Sequence, residues 1–384
     1  MNQFKIDSMI YFNDDESESL EFLKGIKGEK AFIVADSIMD KLGYLEKTIS
    51  HLKHAKITCS VFTGVKPDPD TSTISNGIKE YKKTDADIII ALGGGSAIDT
   101  AKAIIYYSAK LSDNHLSKHK PLFIAIPSTS GTGSEVTDFS VITSDGQKIC
   151  IIDDLIVPDI ALLDATCIQH VPKNVVADTG IDVLVHAIEA YISTKATDFT
   201  DALAEKSIKI IFEDLETVYL DIHNTAARRR ILNASCIAGM AFSNTGLGIN
   251  HSLAHALGSA FNISHGRANA LVLQEVMRYN GDLDGKANNT AAHKFSNLAK
   301  QLYLPARTVR EGAYHFIAAV KELQSSINIE RDLKSFGIDE LDLNAQISYL
   351  AENALNDRCT PTNPRKVTIE DLVRIYRNCY ELSF

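Results

Sequence analysis

The 384-residue chain is 45% hydrophobic, with a net charge of −10 and no Trp, which is enough apolar material for two domains with their own cores. It has no basic run, so nucleic acid is not an expected partner, because phosphate binding needs clustered Lys and Arg. No apolar run approaches the roughly 20 residues of a membrane span, and the opening MNQFKIDSMIYF lacks the basic-then-apolar pattern of a leader.

The six cysteines (Cys59, Cys150, Cys167, Cys236, Cys359 and Cys379) are scattered without a CxxC pair, which suits a reducing cytoplasm better than a disulfide framework or a zinc ribbon. Taken in chain order, 31–36 (AFIVAD) reads as a short buried strand ending on Asp36, and 57–64 (ITCSVFTG) as another. A turn over Lys66–Asp70 precedes a helix to about Lys83, capped by Asp70 or Thr71. Residues 86–92 (ADIIIAL) form an apolar run of the kind buried on both faces of a parallel sheet. Gly93-Gly94-Gly95-Ser96 then opens an unbroken helix, and a polar loop over 111–120 leads to the strand PLFIAIP and the run 128–135 (STSGTGSE). Short strands are expected near 139–143, 148–152 and 160–164. Strands alternating with helices predict an α/β first domain, 1–172, with a mostly parallel sheet. From 173 to 384 apolar residues recur at helical spacing and strand signals vanish, predicting an all-helical second domain. Residues 16–24 (ESESLEFLK) are a weak helix candidate within the first domain.

The strand, three glycines, a serine and a helix N-terminus make a place for a diphosphate, because bare backbone N–H groups and the helix dipole favour an anion. The turn is neither the usual dinucleotide fingerprint nor a P-loop, and glycines chosen for packing would look the same. Asp36 closing an early strand is where an acid favours the free ribose hydroxyls of NAD, although an Asp starting a turn also fits.

The chemistry-bearing stretch is 246–269 (GLGINHSLAHALGSAFNISHGRAN), with His251 and His255 four residues apart on one helix face and His265 in an expected Ser264-His265-Gly266 turn. Asp182 and His186 form a second i, i+4 pair in DVLVHAIEAYI. One carboxylate and four imidazoles are a ligand set for a divalent transition metal. Core histidines, and an Asp near a helix N-terminus, are the bland alternative, and spacing does not say which histidine of the HxxxH pair would bind.

GGGSAIDTAKA (93–103), STSGTGSE (128–135), GIDVLVHAIEAY (180–191), GLGINHSLAHALG with SHGRANA (246–270) and DRCTPTNPR (357–365) resemble, in that order and over nearly the whole chain, the iron-containing (group III) alcohol dehydrogenases. Within that family, DFTDALAEK and NASCIAGMAFSNTGLGINH look most like the 1-propanol dehydrogenases of propanediol-utilisation microcompartments, followed by ethanolamine-pathway relatives. The resemblance implies an α/β nucleotide-binding domain followed by an all-α metal-binding domain, in the fold shared with dehydroquinate synthase. It puts Fe²⁺, or Zn²⁺, on Asp182, His186, His251 and His265, and leaves His255 as a nearby non-ligand. It puts NAD(H) on Asp36, Gly93, Gly94, Gly95, Ser96, Ser128, Thr129, Thr132 and Lys148, with Asp99 as a catalytic position. Cys359 matches a cysteine near the active site in relatives, and a small buried filler would serve there equally. Ser264 and Ala256 stand where the family often has Pro, and Ser128 where Thr is common, so pocket shape is less secure than the ligand set.

The function expected from this resemblance is interconversion of a short primary alcohol and its aldehyde, chiefly reduction of propionaldehyde to 1-propanol. The metal would act as a Lewis acid and His255 as a proton relay. Ethanol, lactaldehyde, butanol or glycerol dehydrogenase activity is the alternative within the superfamily, and a non-catalytic microcompartment-associated protein the alternative outside it. A homodimer in the cytoplasm or inside a microcompartment, working with an aldehyde dehydrogenase or shell proteins, is the corresponding expectation for partners and place.

Overall fold

The structure, a computed structural model, describes residues 3–13, 19–111, 120–144 and 147–382. Most of the expected polar loop (112–119) and the start of the 16–24 helix candidate lie outside them. The chain divides into two compact units, one spanning Lys5–Val171 and the other running from Pro172 onward. Phe4 groups with the second unit and stacks on Phe199.

The first unit carries strands β1 (Met9–Phe12), β2 (Lys30–Ala35), β3 (Thr58–Phe62), β4 (Ile88–Gly93), β5 (Leu122–Pro127), β6 (Phe139–Ser144), β7 (Gln147–Ile152) and β8 (Ile160–Leu163). Six of them form one sheet in the order β1-β8-β5-β4-β2-β3, with every pairing parallel. β6 and β7 make a separate antiparallel hairpin. The helices are α1 (Ser37–Lys41), α2 (Tyr44–His54), α3 (Thr71–Lys82) and α4 (Gly95–Lys110).

The apolar run of β4 is buried on both faces. Ile88, Ile90 and Leu92 pack with Leu45 and Leu52 of α2 on one side of the sheet. Ile89 and Ala91 pack with Ile74 of α3 and Ile98 of α4 on the other. Two-residue alternation splits a continuous Ile run between two cores, which is why no polar alternation shows in the sequence. Asp70 caps α3 by accepting from the Thr73 N–H at 2.7 Å.

The second unit is helical throughout its described residues: α5 (Lys173–Ile192), α6 (Asp198–Leu220), α7 (Thr225–Thr245), α8 (Ile249–Phe261), α9 (His265–Asn280), α10 (Thr290–Gln301), α11 (Val309–Ser326), α12 (Leu333–Phe336), α13 (Glu340–Asn356) and α14 (Ile369–Tyr380). A core of Leu253, Leu257, Val272, Leu350 and Tyr376 joins α8, α9, α13 and α14.

One expectation is corrected here. His265 does not sit in a turn but is the first residue of α9. Gly266 is not bent into a left-handed conformation either. A Cβ at Gly266 would stand 2.1 Å from the Asp178 carbonyl oxygen on α5, so its glycine is required by close helix packing.

Candidate active site

In the α/β unit the chain leaves β2 through α2, on one face of the sheet, and β4 through α4, on the other, heading for opposite edges. The gap between the carboxyl ends of β2 and β4 is therefore the topological switch point where ligands bind such sheets. Asp36 and Gly93 lie there, since Ala35 pairs with Leu92 and the Asp36 N–H donates to the Leu92 carbonyl. Asp36 Oδ1 accepts from the Ile38 and Met39 N–H groups at 2.9 Å, and Oδ2 from the Gly94 N–H at 3.4 Å. Gly93 has φ +154°, and a Cβ there would stand 2.5 Å from Asp36 Oδ2. A Cβ on Gly94 would meet the Thr129 side chain at 3.3 Å, and one on Gly95 would meet Thr132 at 2.8 Å. Ser128 is buried, and its N–H donates to the Gly93 carbonyl at 3.0 Å. Gly94, at the N-cap of α4, supplies no side-chain hydrogen bond, so Gly95 and Ser96 begin the helix with N–H groups free of a side-chain cap.

The structure thus gathers Asp36, Gly93–Ser96, Ser128, Thr129 and Thr132 at one turn. Two other residues have different surroundings. Lys148 lies on the β6–β7 hairpin and pairs with Asp68 at 3.0 Å. Asp99 accepts from Ser134 Oγ at 2.9 Å and from the Val141 N–H at 3.1 Å. Burial pushes the Asp99 carboxyl upward, opposed chiefly by Lys102. Both its oxygens are committed to the loop and hairpin beside α4, an arrangement suited to positioning.

The helical unit builds the second constellation. On α5, Asp182, His186 and Glu189 occupy i, i+4 and i+7, one buried face. His251 comes from α8 and His265 from the start of α9. One ligand atom from each of Asp182, His186, His251 and His265 lies within 4.8 Å of the others. Asp182 Oδ1 is 3.9 Å from His251 Nε2 and 3.5 Å from His265 Nε2, and Oδ2 is 3.9 Å from His186 Nδ1. Tetrahedral ligands bonded at about 2.0–2.2 Å lie roughly 3.3–3.6 Å apart, so the Asp182–histidine distances are already within about 0.6 Å of what an ion needs, and the remaining pairs, within 4.8 Å, close by at most about 1.5 Å.

The donor chemistry fits a cation. His251 Nδ1 is 2.6 Å from Glu189 Oε2, which leaves Nε2 buried without a hydrogen-bond partner and facing Asp182. Carboxylate–histidine pairing of this kind fixes the ring and raises ligand basicity. Glu189 Oε1 also accepts from the Asn250 N–H at 2.7 Å. Asn250 holds Asn269 through its side chain, and Asn269 donates to Asp182 Oδ1 at 2.9 Å. Burial pushes Asp182 up to about 8 against the Asn269 hydrogen bond, and burial likewise pushes Glu189 up to about 8. Burial, with the charges of His186 and His265, holds His251 well below its ordinary value. An ion here would reverse the carboxylate shifts, since a bound cation is the largest local charge.

His255 points elsewhere. Its Nδ1 is 2.8 Å from Asp357 Oδ2, and its ring stacks on His265 with centroids 5.3 Å apart. Sequence reasoning left Glu189, Asn269 and Asp357 without roles. The signal for Glu189 was its i+7 spacing from Asp182, and Asp357 opens the DRCTPTNPR motif.

Residues 8–165 match the model of the iron-containing alcohol dehydrogenases, and residues 176–380 match that of the C-terminal part of the Fe-containing alcohol dehydrogenase family. The chain belongs to the iron-containing alcohol dehydrogenase family. It is 38% identical to the NADPH-dependent butanol dehydrogenase of Clostridium saccharobutylicum, covering 99% of this chain and 98% of that one. It is 37% identical to the 1-propanol dehydrogenase of Salmonella typhimurium, over 96% and 97%. It also matches the aldehyde-alcohol dehydrogenase of Streptococcus pneumoniae at 38% identity, over 99% of this chain, and spans about half (46%) of that protein's length. The alcohol dehydrogenase from Oenococcus oeni superposes with a TM-score of 0.89 at 32% identity, over 99% of this chain and all of that one.

Proposed function

We propose that this iron-containing alcohol dehydrogenase family member is a metal-dependent, NAD(H)-linked oxidoreductase that interconverts a short primary alcohol and its aldehyde, with reduction of propionaldehyde to 1-propanol as its main reaction. The observation that carries the reading is His251, oriented by Glu189 through Nδ1 while its bare Nε2 faces Asp182, His186 and His265. Asp182, His186, His251 and His265 would hold Fe²⁺ or Zn²⁺, whose bound form supplies Lewis-acid polarisation of the substrate oxygen, while NAD(H) supplies the redox chemistry. Asn269 keeps Asp182 aimed and Glu189 keeps His251 in one tautomer. Asp357 holds the His255 ring through Nδ1, leaving Nε2 to pass a proton. At the switch point Gly93–Ser96 with Thr129 and Thr132 would cradle the diphosphate, and Ser128 and Lys148 would complete the nucleotide contacts. The Asp36 carboxylate favours free ribose hydroxyls over a 2′-phosphate. Asp99 acts by holding the loop in place. We assign the α/β domain to 1–172 and the helical domain to 173–384.

Sequence likeness to the 1-propanol dehydrogenase supports propanol. The motif resemblance is the ground for the rest of the reading, a homodimer in the cytoplasm or in a propanediol-utilisation microcompartment beside an aldehyde dehydrogenase. Likeness to the butanol enzyme, whose name specifies NADPH, supports the second reading, a longer alcohol with the phosphorylated cofactor. The deciding experiment is nicotinamide oxidation with propionaldehyde, butyraldehyde and acetaldehyde by anaerobically purified protein, before and after Fe²⁺ reconstitution. Iron-dependent turnover with NADH, fastest on propionaldehyde, is expected. A preference for NADPH, or no aldehyde turnover with iron bound, would overturn the cofactor or the substrate assignment respectively.

A further inference from the structure

Among the described residues a second group of metal-ligating atoms converges beside the first: His255, Asp357 and Cys359, one ligand atom of each lying within 4.8 Å of the others. His255 Nδ1 and Asp357 Oδ2 are 2.8 Å apart, and Asp357 Oδ1 accepts from the Cys359 N–H at 2.8 Å. The last bond folds the start of the 357–365 segment back on itself and brings the thiol to the carboxylate. Cys359 is 4% exposed, whereas the His255 side chain is 31% exposed, so the group has a buried sulfur end and a solvent-facing imidazole end.

We propose that His255, Asp357 and Cys359 form a second, thiolate-containing site for a divalent cation, distinct from the Asp182–His186–His251–His265 set and selective for Zn²⁺ or Cd²⁺. Sulfur beside nitrogen and oxygen is a borderline-to-soft donor set, unlike the all-N/O set next to it. Bonds of about 2.0 Å to nitrogen and oxygen and 2.3 Å to sulfur place neighbouring tetrahedral ligands roughly 3.3–3.5 Å apart. The His255–Asp357 pair therefore opens by about half an ångström, and the sulfur, within 4.8 Å of both, closes in by at most about 1.3 Å. The thiol proton leaves to solvent on binding, and water fills the fourth position. Asp357 and Glu189 supply negative charge around the sulfur, with Arg358 opposing them. Coordinated through Nδ1, the His255 ring would keep its one proton on Nε2 and could not take up a second, so occupancy of this site would block the proton transfer assigned to it and be inhibitory.

The test is a titration of the metal-stripped full chain with Cd²⁺, following the ultraviolet thiolate-to-cadmium absorption and the bound stoichiometry. Two equivalents are expected, one of them carrying the absorption. Cys359→Ser should lose the absorption and one equivalent, and Asp182→Asn should keep the absorption and lose the other. Should Cys359→Ser fail to fold, Asp357→Asn carries the test, with affinity for the absorbing equivalent expected to fall at least about tenfold. A parent chain that binds cadmium without the absorption, an absorption that survives in Cys359→Ser, or unchanged affinity in Asp357→Asn overturns the proposal. Loss of the silent equivalent alone would leave this site standing and count against the first.

Discussion

Glu189 never reaches the centre of the ligand set, yet it decides which nitrogen of His251 is available there. Glu189→Gln should weaken Fe²⁺ or Zn²⁺ binding by roughly 10–100-fold, measured by competition with a chromophoric chelator, with helix content unchanged. The same residues give metal-free protein a distinctive pH response. Asp182 and Glu189 have folded-state values near 8, above their unfolded values of about 4, so the folded state binds more protons and stability falls as pH rises through that window. His251 acts oppositely, its lowered value costing stability only below its unfolded value of about 6.5. Between about pH 6.5 and 8 these two carboxylates outweigh the one opposing group, Lys102, which burial lowers to about 8, so metal-free protein should melt lower at pH 8 than at 6.5. Metal-loaded protein should lose this decline, and an equal decline with saturating metal would contradict the assignment of the ligands. Five candidates were legible as two i, i+4 pairs and a lone histidine, because helical spacing writes shared faces into the sequence, while the choice of His251 over His255 came only from the family resemblance. Glu189 and Asn269 were not, because their partners lie on other helices and no periodicity reports that.

At the scale of elements, two contacts set where the site residues stand. α9 rests against α5 at Gly266, with Ser264 and Arg267 both donating to the Asp178 carboxylate, at 2.6 and 2.7 Å. Gly266→Ala should push these helices apart, costing about 1–3 kcal/mol by denaturant unfolding and lowering metal affinity. In the α/β unit, buried Lys102 donates from α4 to Ser134 O, Thr137 O and Phe139 O, at 2.7, 2.8 and 2.9 Å, pinning the end of the Ser/Thr-rich loop. Lys102→Met should leave these carbonyls unpaired and raise the KM for NADH more than it lowers kcat, while the metal content of the helical unit is unchanged. The central strands were readable because burial on both faces demands unbroken apolar runs. β1 was missed because Met9 and Phe12 are 55% and 49% exposed. α1 and α2 were missed because SIMDKLGYLEKTISHLKH mixes charges into its apolar spacing. Gly266 was misread because a close helix approach and a turn ask for the same residue.

Over the whole molecule, the candidate ligands come from one unit only. Stripping the metal should therefore expose backbone amides of α5, α8 and α9 to hydrogen exchange while the sheet of the first unit stays protected. The stabilisation lost should follow mass action, about 2.7 kcal/mol when free ion stands at a hundred times its dissociation constant. Faster exchange in β4 and β5 on chelation would contradict that independence. The ligand set is also lopsided, with Asp182, His186 and His251 side chains 3%, 6% and 1% exposed and His265 38%. Three candidate ligands are sealed in and the fourth faces water from the first residue of a helix, the part of a helix that frays most readily. The lifetime of an ion held there would then be governed by how often the first turn of α9 unwinds. Substitutions that loosen that turn would turn a resident metal into an exchangeable one, set by whichever ion is abundant outside.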